Sequence, residues 1–299
     1  MTSLSETSIL LGSSGVSTGY TIDQSIRFND NDSPILKKTY SGAGTEETFT
    51  FSCWVKRGNL SGGLATSGGA TLFSGGASVN NYGEILFRGS SASPGPADCL
   101  EFYSSEGGST NMRLFTNQLF RDTNAWYHIV CVMDTTNAIS TERLRIYVNG
   151  NRVTDFNATT FPSQNAVPHF NTATEHGVGG FAVSTDTRFF DGYLAEIYFL
   201  DGYAYNASYF GEFKENTDIW IPKEYEGSYG TNGFHIDGRD SSDLGDDESG
   251  QGNDYSASGL AADDQVLDSP TKNYGVFNNL EKDLRYSTTL SNGNKTITF

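Results

Sequence analysis

The chain has 299 residues, with 36 acidic against 19 basic side chains, a formal charge of -17, 34 glycines, 20 Phe, 16 Tyr and 3 Trp. Such aromatic content excludes a disordered acidic chain, and the length suffices for one large or two ordinary domains with a packed core. The charge repels phosphate backbones and anionic lipid surfaces, which excludes a basic nucleic-acid or membrane-binding face and leaves neutral, cationic or protein partners.

The first 21 residues read as an arm. They are rich in Ser, Thr and Gly, and their one contiguous apolar cluster is Ile9-Leu10-Leu11. That cluster is too short for a signal-peptide core, and no segment approaches a membrane span. The chain is therefore expected to fold in a cytoplasm, with Ile9, Leu10 and Leu11 docking on a neighbouring chain during assembly.

From Thr48 onward the pattern alternates with period two, and no stretch of ten residues carries a helical period. Thr48-Phe49-Thr50-Phe51-Ser52-Cys53-Trp54-Val55 is a half-buried strand ended by Lys56-Arg57-Gly58-Asn59. Further strands follow at 84–87, 100–103, 112–115, 126–133, 144–148 and 189–200, separated by Gly-, Ser- or Asn-rich breaks. Many short strands with recurring turn signals predict an all-β, antiparallel two-sheet sandwich. Trp54 and Trp126, in the most apolar strands, are expected to be buried against the opposing sheet. Asn149-Gly150 between strand runs predicts a tight hairpin, because both residues tolerate positive φ. The best helix candidate is Ala207 to Glu212, with Asn206 as its N-cap. Cys53, Cys99 and Cys131 include no CxxC pair, which disfavours structural zinc; Cys53 and Cys131 read as buried thiols, with a disulfide as the alternative.

Beyond residue 213 the composition changes. Residues 214–299 read as a linker followed by an acidic, loop-rich extension without a core of its own. Between Asp237 and Asp268 ten acids face Arg239 alone, so about half the charge imbalance lies in this one segment. Asp240, Asp243, Asp246, Asp247 and Asp254 could supply hard oxygen ligands to calcium, although the EF-hand spacing is absent. The alternative is that Asp, Ser and Gly build Asx-turns in a solvated loop.

Three segments carry a resemblance: Thr50-Phe51-Ser52-Cys53-Trp54-Val55-Lys56-Arg57, Trp126-Tyr127-His128-Ile129-Val130, and Leu144-Arg145-Ile146-Tyr147-Val148-Asn149-Gly150. In this order and spacing they resemble the laminin G-like, concanavalin A-like jelly roll. Phe190-Asp191-Gly192-Tyr193-Leu194-Ala195-Glu196-Ile197-Tyr198 is similar to that family's closing strand, which sets the domain at residues 22–213. A narrower resemblance is to laminin G-like virion proteins of marine tailed bacteriophages. It rests on Ile22 to Ser33, Ser52 to Gly58, Asp191 to Gly202, Phe210-Gly211-Glu212, Trp220-Ile221-Pro222-Lys223 and Ser241 to Gly245 occurring in order. It implies a tail fibre, spike or head decoration with other virion proteins as partners, and a homo-oligomer, trimeric if it follows the fibres of tailed phages.

Catalysis is not expected. Glycoside hydrolases of the same jelly roll place carboxylates on alternate residues of one strand as E-x-D-x-E. Glu196 is the only strand carboxylate found in a comparable position, and no G-x-S-x-G is present. The four histidines are dispersed, and His128 is expected as a hydrogen-bonded sheet residue. Tyr193, Tyr203 and Tyr205 are candidates for stacking on a sugar face, with core packing as the alternative. The expectation is a non-enzymatic virion protein that mediates assembly or host glycan attachment. It requires no cofactor, with calcium as the one open question. A soluble lectin outside a virion is the second reading and a polysaccharide-degrading enzyme the third.

Overall fold

The computed structural model describes residues 19–61, 68–90, 95–183, 188–276, 289–291 and 295–298. Ile9, Leu10 and Leu11 lie outside the described residues. Alternating strands build two large antiparallel sheets, as the sequence predicts. The first runs, edge to edge, β10 (Asn151–Arg152), β9 (Leu144–Val148), β8 (Trp126–Asp134), β3 (Thr48–Arg57), β13 (Gly192–Asp201), β1 (Ser25–Phe28) and β18 (Gln265–Val266), and β16 (Phe234–Ile236) also pairs with β13. The second runs β11 (Phe156–Thr160), β7 (Ser109–Leu119), β6 (Cys99–Glu106), β5 (Asn81–Arg88), β4 (Gly69–Ser78), β12 (Glu175–Val178), β2 (Ile35–Thr39) and β17 (Ser256–Ser258).

Period two sends Phe49, Phe51, Cys53 and Val55 of β3 into the core between the sheets, where they meet Phe73, Phe102 and Phe199. Phe51 and Phe73 stack at 5.1 Å between ring centroids. The three cysteines are free and buried, and burial pushes the Cys53 thiol up. The hairpin forms where Asn149-Gly150 predicts it, with φ values of 46° and 80° joining β9 to β10. Among the described residues the only helical pieces are 3₁₀ turns. The candidate at Ala207 to Glu212 is one of these, spanning Ala207–Tyr209, with the Asn206 side chain accepting from the Ser208 amide. The next residues form a strand instead, because β14 (Gly211–Phe213) pairs with β15 (Trp220–Pro222).

One expectation is corrected by the packing. Trp54 and Trp126 are buried, at 5% and 9% exposure, but on the outer face of the first sheet, with Ile22, Tyr193 and Ala195. Alternation explains it: Cys53 and Val55 take the inward positions, so Trp54 must face outward. The acidic extension forms part of the sandwich. It adds β16, β17 and β18 to the two sheets, and Phe234, Ile236, Leu244 and Tyr255 enter the main core.

A third layer covers the outer face of the first sheet. Val130, Val132, Tyr198 and Leu200 pack under Ala207, Phe210 and Tyr225. Trp220 reaches the sheet because Gly150 and Gly211 lie beneath its ring: a Cβ on either would approach the indole to 2.3 and 2.5 Å. Its indole N–H donates to His128 Nδ1 at 3.0 Å, while His128 Nε2 pairs with Ser52 Oγ at 2.9 Å. At the other end of this face the buried Lys56 ammonium meets Asp268 Oδ2 at 2.9 Å and Asn273 Oδ1 at 2.8 Å, and Trp126 donates to Asp268 Oδ1.

Candidate functional site

The sequence-selected residues do not converge. Tyr193 is fully buried beside the Lys56 ammonium, so burial contradicts its role as a sugar platform. Tyr203 and Tyr205 lie in the covering layer, half-buried, in a ladder with Tyr209. Tyr205 and Tyr209 stack at 3.9 Å with 8° between planes, and Tyr203 sits 5.4 Å from Tyr205. Tyr205 thus packs against two rings, while Tyr209 remains exposed.

Four of the five aspartates considered for calcium accept hydrogen bonds from nearby amides. Asp240 accepts from the Ser242 amide and hydroxyl at 2.8 and 2.6 Å, and Asp243 from the Gly245 amide. Asp247 is buried and saturated by the amides of His235, Ser249 and Asn253 and the Ser249 hydroxyl. Asp254 accepts from the Asp247 amide. Asp246 has its carboxyl pushed up by desolvation and by the charges of Asp254, Asp243 and Asp240. Among the described residues no group of three or more His, Cys, Asp or Glu is arranged to hold a metal ion.

Glu196 is equally engaged. It sits at φ 49° in an irregularity of β13, at the seam where pairing passes from β1 (Gly192 to Leu194) to β16 (Ile197 to Phe199). Its Oε2 accepts from Tyr198 and, at 3.0 Å each, pairs with Tyr20 Oη and His235 Nε2. Burial opposes ionisation here, but the hydrogen bonds from His235, Tyr198 and Tyr20 outweigh it and hold the carboxyl below its ordinary range.

A constellation on the outer face of the second sheet was missed. Ile85, Phe87, Leu100, Phe102, Met112 and Leu114 point into the core, so the intervening positions of β5, β6 and β7 face out. Glu84 pairs in register with Tyr103 and Tyr103 with Arg113, while Leu86 pairs with Glu101 and Glu101 with Phe115. Glu84 and Glu101 are therefore strand carboxylates on neighbouring strands, and Glu196 is not the only one. Glu84 accepts from the Thr71 hydroxyl and lies 3.0 Å from Arg188 Nη1. Glu101 bonds Arg88 through one oxygen and lies 2.8 Å from Arg113 Nε through the other.

Guanidinium planes and rings alternate across this face. Arg113 lies 4.9 Å from the Tyr103 centroid and Arg188 4.0 Å from that of Phe181, while the Tyr82 and Tyr103 rings are 5.6 Å apart. The glutamate side chains are 1% and 6% exposed, against 17% for Arg188 and 21% for Arg113, so solvent meets the arginines and half-buried tyrosines above sealed carboxylates. Burial, then the Glu84 charge, pushes the Tyr82 hydroxyl up to about 12. Such a surface offers flat apolar area and multiple N–H donors. Its carboxylates are locked in ion pairs, which disfavours the proton exchange of a general acid. The signal lay in the charged positions of three successive alternating runs, Glu84, Glu101 and Arg113.

The profile of the concanavalin A-like lectin/glucanases superfamily matches residues 23–207. No curated protein matches the chain. Among solved structures, a candidate carbohydrate-binding protein of Bacteroides ovatus is similar at 16% identity and a TM-score of 0.50, over 80% of this chain and 58% of that one. The present chain thus spans little more than half the length of that protein. A heptameric SAP-like pentraxin of Limulus polyphemus is similar at 14% identity and a TM-score of 0.42, over 62% and 78% of the two chains. The enzymatically active domain of tailspike protein 2 of bacteriophage CBA120 is similar at 12% identity and a TM-score of 0.39, over 66% and 31%. At these identities the likeness concerns the fold.

Proposed function

Because this chain belongs to the concanavalin A-like lectin/glucanase superfamily, we propose that it binds glycans without cleaving them, as a laminin G-like component of a phage particle. One observation carries the binding part. On the outer face of the second sheet, the tilted rings of Tyr82 and Tyr103 lie beside Arg113 and Arg188 above two glutamates that the arginines already occupy. Rings of this kind stack on the C–H face of a sugar and guanidinium groups donate to its hydroxyls. A retaining or inverting hydrolase needs one carboxyl free to deliver a proton and another free to attack or activate water. Glu84 and Glu101 have neither freedom, and Glu196 is sealed under the covering layer.

The particle assignment rests on the ordered motifs from Ile22 to Gly245 that resemble laminin G-like phage virion proteins. Its neighbours are then other virion proteins, and the chain is made in the host cytoplasm before assembly. The test of binding is titration of the full chain against an immobilised panel of host-surface and algal oligosaccharides, with Tyr103→Ala expected to weaken at least tenfold the binding of those glycans held at this face, at a stability cost of about 1 kcal/mol or less. Release of reducing ends from the same panel would refute the non-catalytic reading. Absence of the chain from purified particles by immunogold labelling would refute the virion one.

A further inference from the structure

The edge at which β9 and β10 leave the first sheet and β11 joins the second carries a second candidate site. The segment Arg152 to Thr154 crosses between the two sheet edges and forms a shared wall of two adjoining pockets, of about 610 and 450 Å³. Both fall in the range of about 300 to 1,000 Å³ usual for small-ligand sites.

The two differ in chemistry. The larger is lined by Asn117, Gln118, Asn149, Asn151, Thr154 and Asp155 over a floor of Val148 and Val153. Asn149 Oδ1 accepts from the His128 amide at 2.7 Å, which fixes the side chain and leaves its Nδ2 as a donor. Asn117 donates to Asp155 Oδ1 at 2.6 Å and accepts from Asn157 Nδ2 at 3.2 Å. The smaller pocket adds Leu144, Phe156 and Phe161 beside Thr141 and Thr159. The groove therefore sets fixed amides on one side of the wall and apolar rings on the other.

Charge narrows the ligand. Arg152 is neutralised by Glu142 through two contacts of 2.9 Å, so with Asp155 the groove carries a net negative charge within a chain of formal charge -17. An anionic ligand is disfavoured. Amides present donors and acceptors side by side, matching vicinal hydroxyls, whereas a peptide adding to the edge needs a long unbroken strand. Here β10 has only two residues and β11 has a register shift between Phe156 and Ala158, which blunts both edges.

We propose that this groove is a second saccharide site, distinct from the tyrosine and arginine face, and that it takes a neutral oligosaccharide. Ring hydroxyls meet the Asn117, Gln118, Asn149 and Asn151 amides, and a less polar sugar face meets Phe156 and Phe161.

The experiment is calorimetric titration of the full chain with neutral hexose and N-acetylhexosamine tetrasaccharides, uronate tetrasaccharides and an extended β-forming peptide as probes. Two groove variants are compared with Tyr103→Ala: Asn117→Ala/Asn151→Ala, which removes two exposed amides, and Thr154→Trp, which fills the wall from its exposed side. The expected result is neutral-saccharide binding that survives Tyr103→Ala and weakens at least tenfold in both groove variants, with melting temperatures unchanged. Neutral binding that persists in the groove variants and disappears in Tyr103→Ala would overturn the groove and leave the face. Preference for uronates or the peptide at the groove would overturn the ligand class, and a chain that binds no saccharide would overturn both sites.

Discussion

The two outer faces of the sandwich are built from the same strand alternation but meet opposite fates. On the first sheet, Trp54, Trp126, His128, Lys56 and Glu196 point outward and are then sealed by residues 203–229 and by the segment around Asp268, so each polar atom must find a fixed partner inside the protein. On the second sheet, Glu84, Glu101 and their arginines neutralise one another while Arg113, Arg188, Tyr82 and Tyr103 retain contact with solvent. Outward-facing polarity is thus a structural demand on one side and available for recognition on the other. The covering layer makes the difference.

The contrast breaks most readily on the sealed face. Trp54→Ala, which empties a site whose ring centroid lies 4.9 Å from that of His128, is expected to cost about 3 to 5 kcal/mol in urea denaturation. Asp268→Ala strands a fully buried Lys56 ammonium and should cost a similar amount, about 3 to 5 kcal/mol. A loss below 1 kcal/mol for either would mean that the layer does not seal the face.

Two buried groups should give stability slopes of opposite sign. Burial pushes His128 down to about 3, whereas its unfolded pKa is about 6.5. The unfolded chain therefore takes up the proton first, and stability falls as pH drops below about 6.5. Asp191 is lifted to about 7, by burial and then by the charge of Asp30, to which it is hydrogen-bonded. Its contribution is complete below its unfolded pKa of about 4 and is lost as pH rises to about 7. Between about pH 4 and 7 the two slopes oppose each other, so denaturation midpoints should rise more steeply with pH in Asp191→Asn than in the native chain; identical profiles would exonerate the pair.

Effects on the open face should be smaller in stability and larger in binding. Arg113→Ala leaves Glu101 still held by Arg88 and should cost about 1.5 kcal/mol. Tyr103→Ala removes a half-buried ring and one cation–π contact, about 1 kcal/mol or less, while abolishing glycan binding at this face. The smallest effect concerns metal. With Asp240, Asp243 and Asp247 already committed to turn hydrogen bonds, EGTA is expected to leave the melting temperature unchanged. A fall reversed by calcium would restore the acidic loop as a cation site.

Much of the architecture is legible in the residues because its cause is local. The alternation of β3 and β8 states which side chains share a face, Asn149-Gly150 states where the chain must turn, and Asp240-x-Ser242 has the form of an Asx-turn. Sequence also shows that Glu84, Glu101 and Arg113 occupy the polar phase of their strands. What alternation cannot state is whether the polar phase of a strand ends in water or beneath another layer. That depends on partners far away in the sequence: Asp268 closing over Lys56, Trp220 descending onto Gly150, and β16 taking over from β1 beside Glu196. Tyr193 and Tyr103 are similar as residues in strands, and only the tertiary structure buries the first under a lysine and leaves the second beside solvent. Local sterics and pleating fix the faces of each strand, whereas long-range burial decides which face remains open for function.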